Sequence, residues 1–397
     1  MSDRLPRVVL LPRRARPFHG RHPWVFAGAI GAVEGDPADG DEVDLVTDTG
    51  VFVARGLYNG QSKIRVRLLC WDADTRLDAD FFRARILSAV SLRDRLGLNG
   101  PGWGCRLVFS EGDALSGLIV DRYDDWLVVQ FTSLGLHQRC GLIVDILNEA
   151  IRPEGIYLRT EKGIGQLEGL PLVDGPLHGI PPAGPIQIEE HGLKILVNLA
   201  EGQKTGYYLD QRDNRQEVAR LCAGRRVLDA FCYSGGFGLH AARAGAVEVV
   251  GVDGSAPALA LAQENARLNA LDNITFHKAD VFVDLEQRVG RGERFGVVVL
   301  DPPKFARSRN AVEDAMKGYQ RLQSMALRLL EPDGILATCC CSGLISPDML
   351  EEQLAHVAAL ARRDVQLLQR RGPSPDHPVA VGCLETHYLK CLLARVV

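Results

Sequence analysis

The sequence predicts an α/β fold in three parts: a small N-terminal β-barrel, a middle α+β domain, and a C-terminal doubly wound domain with a mostly parallel sheet. Three observations carry this. The first seventy residues hold short apolar runs separated by glycine, proline and aspartate. From Glu217 onward, strand-like and helix-like runs alternate. Within that last stretch, Val227-Leu-Asp229-Ala-Phe-Cys-Tyr-Ser-Gly-Gly-Phe-Gly238 carries an apolar strand into a glycine-rich turn and then a helix. α/β folds place a nucleotide-like ligand at a strand's carboxyl end in this way.

In the first part, residues 1–73, strands are expected over 7–11, 42–46, 52–57 and 64–69, a spacing that suits a barrel. Arg4, Arg7, Arg13, Arg14, Arg16, His19, Arg21 and His22 cluster ahead of Trp24 and Phe26. Cations beside aromatics suit phosphate contact and base stacking. Arg13, Arg14, Arg16, Arg21 and Trp24 are therefore RNA-binding candidates, a solvated basic turn beside a core tryptophan being the alternative. In the middle part, 74–185, Phe81, Phe82, Ile86, Val90 and Leu92 give helical spacing over 77–96. Strands follow over 106–109, 117–123 and 126–131, the last two joined at Asp124-Asp125, then a helix over 137–148 and a strand over 155–159. The glycine- and proline-rich stretch 163–185 reads as a linker or long hairpin.

The last part, 186–397, opens with a hairpin over 186–199 around His191-Gly192. Strands are expected over 225–230, 247–252, 274–278, 295–300 and 335–338, with helices ending at 244 and over 256–269, 312–330 and 347–362. Runs over 365–370 and 386–396 read as an antiparallel edge pair, and an exposed edge there would allow two copies to pair as a homodimer.

Hydrophobic content of 46% and charged content of 24% are those of a soluble globular protein. A net charge of -4 excludes a generally basic nucleic-acid binder, so contact with RNA needs a local patch. There is no signal-peptide pattern and no apolar run of the ~18 residues a membrane span needs. The ten cysteines include no CxxC pair, and three are consecutive, which fits neither a disulfide framework nor a zinc site. A reduced, cytoplasmic protein without a bound metal or a membrane partner is expected.

Three acids fall at the ends of successive strands: Asp229, Asp253 and Asp280. Asp253 can accept both hydroxyls of a ribose, and Asp280 can reach an adenine amino group. The glycine turn holds no arginine or lysine to neutralise phosphates, and a pyrophosphate beside Asp229 would meet a like charge. This favours S-adenosylmethionine over NAD, with Asp229 facing the cationic methionine end. Phe231, Cys232, Ser234, Gly235 and Gly236 of the turn, and Ser255 and Val281 beyond the next two tips, join these acids as cofactor-binding candidates. Helix capping is the alternative role for any single acid.

Asp301-Pro-Pro-Lys304 follows the fourth strand and Thr338-Cys-Cys-Cys-Ser342 ends the fifth. Lys304 stands where an aromatic would favour methylation of an exocyclic nitrogen. Cytosine C5 is a poor nucleophile until a thiolate adds to C6, after which C5 can take a methyl group and lose its proton. Cys341, at the tip, is the candidate nucleophile, and Cys339 and Cys340 read as core residues. Asp301 can bond the base at N3 and N4 and also faces the cofactor crevice.

At these residues the chain resembles the ribosomal RNA large subunit methyltransferase I family, the S-adenosylmethionine-dependent 5-methylcytosine enzymes of 23S ribosomal RNA. The likeness covers nearly the full length. It is carried by Glu201-Gly-Gln-Lys-Thr-Gly-Tyr-Tyr-Leu-Asp-Gln-Arg-Asp-Asn-Arg215, by Asp229 to Gly238, by Asp301-Pro-Pro-Lys-Phe305, and by Glu111-Gly-Asp-Ala-Leu-Ser-Gly-Leu-Ile-Val-Asp-Arg-Tyr123. The resemblance implies an N-terminal PUA domain that helps to hold RNA, a middle α+β domain and a Rossmann-like class I methyltransferase domain. It also implies that 205–210, including Thr205, Gly206, Tyr207 and Asp210, closes over the cofactor, and that Cys341 matches the family's cysteine before serine. In the other large class of RNA 5-methylcytosine enzymes a second cysteine follows a proline of the acid-proline motif, a place that holds no cysteine here. The group that takes the C5 proton is therefore left open between Lys304, also an RNA-contact candidate, and water. Readings from other classes are an NAD-dependent oxidoreductase, a non-catalytic RNA-binding or ribosome assembly factor, and a methyltransferase acting on another RNA or a ribosomal protein.

Overall fold

The structure, a computed structural model, describes residues 4–171, 173–199, 202, 204–306 and 308–397. Glu201 and Gln203 of the 201–215 signature lie outside the described residues. The chain forms two compact units that interleave along the sequence. The first takes residues up to 188 together with 197–207 and 375–386, and the second takes 189–196, 208–374 and 387–397.

The first unit begins with a half-barrel of Arg7–Leu10 (β1), Trp24–Phe26 (β2), Ile30–Glu34 (β3), Glu42–Val46 (β4), Phe52–Tyr58 (β5) and Ile64–Cys70 (β6), with the short helix Arg16–His19 (α1) between β1 and β2. The strand order is β2-β6-β5-β4-β1-β3. Val8, Leu10, Val25, Val43, Leu45, Val66 and Leu68 fill its core, the alternating positions of each strand pointing inward. Strands β2 and β3 escape the sequence reading because one has three residues and the other leaves four of its five positions exposed, so no apolar alternation marks them.

A five-stranded sheet follows, built from Gly104–Phe109 (β7), Leu118–Tyr123 (β8), Trp126–Phe131 (β9), Gly155–Leu158 (β10) and Gly175–Gly179 (β11) in the order β11-β10-β9-β8-β7. Helix Ala79–Arg95 (α2) starts at Asp78, whose side chain accepts the Phe81 N–H at 3.0 Å. It buries Phe82 and Ile86 in one cluster with Leu107, Leu127 and Ile146. The single helix expected over 137–148 is two, Leu134–His137 (α3) and Cys140–Ile151 (α4).

Of the linker or long hairpin expected at 163–185, the linker is overturned, while a long hairpin does form, since β11 pairs antiparallel with β10 across a connection that carries a helix. That helix is Lys162–Glu168 (α5), and Glu168 is 4% exposed. The Glu168 carboxylate accepts from Arg67 at 3.0 Å and from the Ser62 hydroxyl at 2.7 Å, while its carbonyl accepts from Asn59 at 3.0 Å. An ion pair between residues far apart in the chain holds the helix, and local composition carries no trace of it.

The strands Ile186–Glu190 (β12) and Leu193–Val197 (β13) form a two-stranded sheet. The second unit centres on a seven-stranded sheet of Arg226–Ala230 (β14), Glu248–Asp253 (β15), Ile274–Lys278 (β16), Phe295–Leu300 (β17), Leu330–Cys340 (β18), Val365–Arg371 (β19) and Lys390–Val396 (β20). The order is β16-β15-β14-β17-β18-β20-β19, parallel except for β20, which runs antiparallel to both neighbours. Helices Arg212–Ala219 (α6), Gly236–Arg243 (α7), Ala256–Leu268 (α8), Val281–Gly290 (α9), Val312–Leu329 (α10) and Pro347–Ala361 (α11) alternate with the strands. Leu228, Val298, Leu322, Leu336, Leu354 and Leu392 belong to one buried cluster. Helix α9 is an addition to the sequence reading, and β20 begins four residues later than expected because Leu384–Thr386 is a 3-10 turn. Among the described residues no helix is long and apolar enough to cross a membrane.

Replacing Glu168 by alanine strands the buried Arg67 guanidinium without its nearest carboxylate. The expected loss is about 3 kcal/mol of stability in urea unfolding, and a loss below about 0.5 kcal/mol would contradict the role given to this pair.

Candidate functional site

In the second unit, parallel pairing brings three strand ends together. Asp229 faces Gly251 on β15 and Val299 on β17, and Leu300 faces Thr338 on β18. The turn after β14 departs from ordinary backbone: Phe231, Tyr233 and Gly235 all have positive φ, at 65°, 48° and 86°. A side chain at Gly235 would be strained at that φ and would also crowd the Phe276 ring at 3.1 Å, so glycine is favoured there.

Asp229 is fully buried on β14. Its Oδ2 accepts the Gly238 N–H at 2.7 Å, and its Oδ1 is buried with no hydrogen-bond partner among the described residues. Burial pushes its pKa up to about 7, and the charges of Asp301 and Asp253 push the same way. The Ser234 hydroxyl is likewise buried without a partner among the described residues. Asp253, at the end of β15, accepts from the Tyr233 N–H at 3.0 Å and the Ser255 N–H at 2.8 Å. Ser255 and Asp280 cap the next two helices, accepting from Ala258 at 3.3 Å and Val283 at 3.1 Å. The capping alternative therefore describes one present job of Asp280, which stays exposed, with Val281 buried behind it. Cys232 is buried and its thiol is pushed well up by that burial.

Asp301 is half-buried at the end of β17, and its Oδ1 accepts from the Gln211 side chain at 3.1 Å. Lys304 is exposed in the turn that follows. Cys339 and Cys340 are fully buried, whereas Cys341, one residue beyond β18, is half-buried. The Cys339 thiol shares a hydrogen bond with Cys391, which together with burial holds it well above the usual thiol range. Two bonds fix the loop carrying Cys341. The Ser342 hydroxyl donates to the Ala306 carbonyl at 3.1 Å, joining the turn after β17 to the turn after β18, and Lys390 Nζ donates to the Ser342 carbonyl at 2.5 Å.

Asp210 is buried in the same unit, with the Tyr388 hydroxyl donating to its carboxylate, and Tyr208 packs edge-on against Tyr233 at 5.4 Å. Thr205, Gly206 and Tyr207 group instead with the first unit. There Thr205 donates to Asp121, and the Tyr123 hydroxyl lies 3.0 Å from the Thr205 hydroxyl and accepts the Tyr207 N–H at 3.2 Å. Also in that unit, Arg13, Arg14 and Arg21 are exposed, and so is the start of α1 around Arg16. Trp24 is half-buried, with its indole N–H donating to Glu111 at 2.8 Å.

The sequence reading did not single out Gln211, Tyr388 or Lys390. Lys390 left a signal that could have been used: a lone cation inside Leu389-Lys-Cys-Leu-Leu393, a run otherwise apolar enough to be a core strand. It is 2% exposed, and burial lowers its pKa.

The donor set suits a cationic, phosphate-free ligand: a buried carboxylate oxygen and a buried hydroxyl without partners among the described residues, and no cation in the turn. Comparison with known proteins agrees. Residues 177–391 match an S-adenosylmethionine-dependent methyltransferase family and residues 8–71 match a PUA-like domain. Ribosomal RNA large subunit methyltransferase I from Shewanella denitrificans is 43% identical over 98% of this chain and 99% of its own length. The protein of that name from Aeromonas salmonicida is 42% identical over 98% of each. Among solved structures, SMU.776, described as a methyltransferase and crystallised with S-adenosylhomocysteine, superposes with a TM-score of 0.85 at 21% identity, covering 98% of this chain and 99% of that one. At that identity the likeness speaks for the fold.

Brief alkylation of the native protein with iodoacetamide, followed by peptide mass spectrometry, should modify Cys341 ahead of Cys339 and Cys340. Earlier labelling of either neighbour would contradict the burial described.

Proposed function

Because this chain belongs to the ribosomal RNA large subunit methyltransferase I family and uses S-adenosylmethionine, we propose that it forms 5-methylcytosine in 23S ribosomal RNA through a bond between Cys341 and C6 of the base. The observation that carries this reading is the position of Cys341. It is the one thiol of three that reaches partial exposure, in a loop tied to the turn after Asp301.

The cofactor, when bound, supplies an electrophilic methyl group on a sulfonium. Asp229 would hold its ammonium, Ser234 and the turn 231–236 its amino-acid end, Asp253 its ribose and Asp280 with Val281 its adenine. Burial keeps Asp229 from ionising readily in the ligand-free protein, and a ligand's positive charge removes that penalty. Cys341 bonds C6 of cytosine, the C5–C6 double bond opens, and electron density moves to C5. Asp301 accepts from the exocyclic N4–H and orients the ring, with Gln211 fixing its Oδ1. After C5 is methylated, its proton leaves to a base, the C5–C6 double bond reforms and the sulfur departs as thiolate. The buried Lys390 amine, bonded to the Ser342 carbonyl one peptide from Cys341, brings a charge of the sign that favours a thiolate.

Cys341→Ala should lower methyl transfer to protein-free 23S RNA at least about a thousandfold, whereas Cys340→Ala keeps transfer within roughly tenfold of the parent. Equal losses in the two variants, measured by radiolabel transfer and nuclease mapping, would remove Cys341 from its role.

Asp229 generates a pH dependence. Below about pH 7 the ligand-free protein holds it protonated, so it offers an ammonium no charge. Calorimetry should show affinity for S-adenosylhomocysteine falling by up to about tenfold per unit as pH drops through that value, and level above it. A profile unchanged in Asp229→Asn would show that another group is responsible. The same raised pKa makes the ligand-free fold less stable as pH rises from about 4 to about 7, since the unfolded chain ionises this acid at its ordinary value.

A further inference from the structure

We propose that a pocket in the first unit binds a phosphate-bearing nucleotide of the RNA strand, an inference that rests on the RNA substrate argued above. The cavity has a volume of about 500 Å³ and is lined by Arg21, Trp71, Arg85, Leu92 and Arg95, among others. Pockets that enclose small ligands run from about 300 to 1,000 Å³, so one nucleotide fits.

The charges decide what it takes. Two acids also border the cavity, and both are engaged. Glu111 accepts from Trp24 at 2.8 Å, from Ser116 at 2.7 Å and from Arg67 at 3.4 Å. Asp113 receives Arg93 through both carboxylate oxygens, at 2.6 and 2.9 Å. The three arginines are in the opposite state. Arg21 lies over the Trp71 ring at 5.7 Å, Arg85 lies over the Phe81 ring at 5.3 Å, and Arg95 reaches the Ser91 hydroxyl at 3.3 Å. Among the described residues none of the three has a carboxylate within ion-pair distance. On the same helix, Arg83 is paired with Glu149 and Arg93 with Asp113. Residues 85, 88, 92 and 95 follow helical spacing, so α2 turns one stripe toward the cavity. The unneutralised guanidinium groups suit phosphate oxygens, which they bond in bidentate fashion. Trp71 and Leu92 offer apolar wall for a base, and the Trp71 indole N–H is anchored to the Phe18 carbonyl at 2.7 Å.

A strand of RNA suits the site better than a free nucleotide because the segment that brings Arg21 to the cavity carries further exposed arginines. Arg13 and Arg14 are exposed on the segment that leads through Arg16 to Arg21. Of the arginines that the sequence marks as RNA contacts, Arg21 alone lines the cavity, and Arg85 and Arg95 add what the sequence did not show.

The test uses the full chain and its Arg85→Gln/Arg95→Gln and Arg85→Lys/Arg95→Lys double variants, with fluorescence anisotropy of a labelled single-stranded RNA of about 20 nucleotides. The glutamine pair should bind roughly tenfold more weakly at about 0.1 M salt, with the salt slope reduced by about 1.4, the value for two lost phosphate contacts on a single strand. The lysine pair should recover most of the slope, and S-adenosylhomocysteine binding should stay unchanged in both. Parental RNA affinity and slope in the glutamine pair would overturn the proposal. Competition by cytidine monophosphate at the concentrations at which the oligonucleotide binds would also overturn it, in favour of a free nucleotide. If the parent protein binds RNA through these arginines yet methylates no 23S RNA, the pocket stands and the proposed reaction falls.

Discussion

The parallel register of β14, β17 and β18 is the constraint on which the chemistry depends. It sets Asp229 beside Val299 and Leu300 beside Thr338, so that Asp301 and the cysteine run leave adjacent strands at one end of the sheet. A parallel sheet covered on both faces buries consecutive side chains alike. Cys339 and Cys340 therefore both vanish into the core, although they point in opposite directions. Only where the strand stops does a thiol reach partial exposure, and that residue is Cys341. Strand β20 closes the arrangement by pairing Cys391 with Cys339 and Lys390 with Cys340. The same strand thus keeps one thiol protonated and places a buried amine next to the loop that carries another.

The glycine-rich turn shows the matching principle in its energetics. A carboxylate buried with one oxygen unpartnered is unfavourable in an isolated protein, and three positive-φ residues follow within six positions. Such features persist where the surrounding packing enforces them. The second unit supplies that enforcement through covered strands on both sides of β14. What is unfavourable without a ligand becomes favourable with one that brings a positive charge and hydrogen-bond donors.

Much of this was legible in the sequence, because continuous apolar runs such as Phe295–Leu300 and alternating ones such as Glu42–Val46 are bounded by turn residues. Glu42–Val46, Trp126–Phe131, Ile274–Lys278 and Phe295–Leu300 appear with the boundaries expected. So do the acids and the thiol, since each sits where such a run ends. What escaped depends on long-range partners. The glycines and prolines of 163–185 allow either a linker or a long hairpin, and what decides between them is the pairing of β11 with β10 and the burial of Glu168 against Arg67. Ile30–Glu34 is an edge strand with an exposed face and no periodicity to read. Gln211 and Lys390 gain meaning from Asp301 and Ser342, which are separated from them by 90 and 48 positions. The interleaving of the two units is of the same kind, for nothing local to 375–386 announces that it packs with the first unit.

The sulfur at position 341 can be interrogated directly. RNA containing 5-fluorocytidine at the modified position blocks proton loss from C5, so a covalent intermediate accumulates once the base is methylated. Proteolysis and mass spectrometry of the trapped complex should find the nucleotide on the peptide that carries Cys341. A complex with the nucleotide on another residue, or full methylation of normal RNA with no covalent species formed on the fluorinated RNA, would contradict the account.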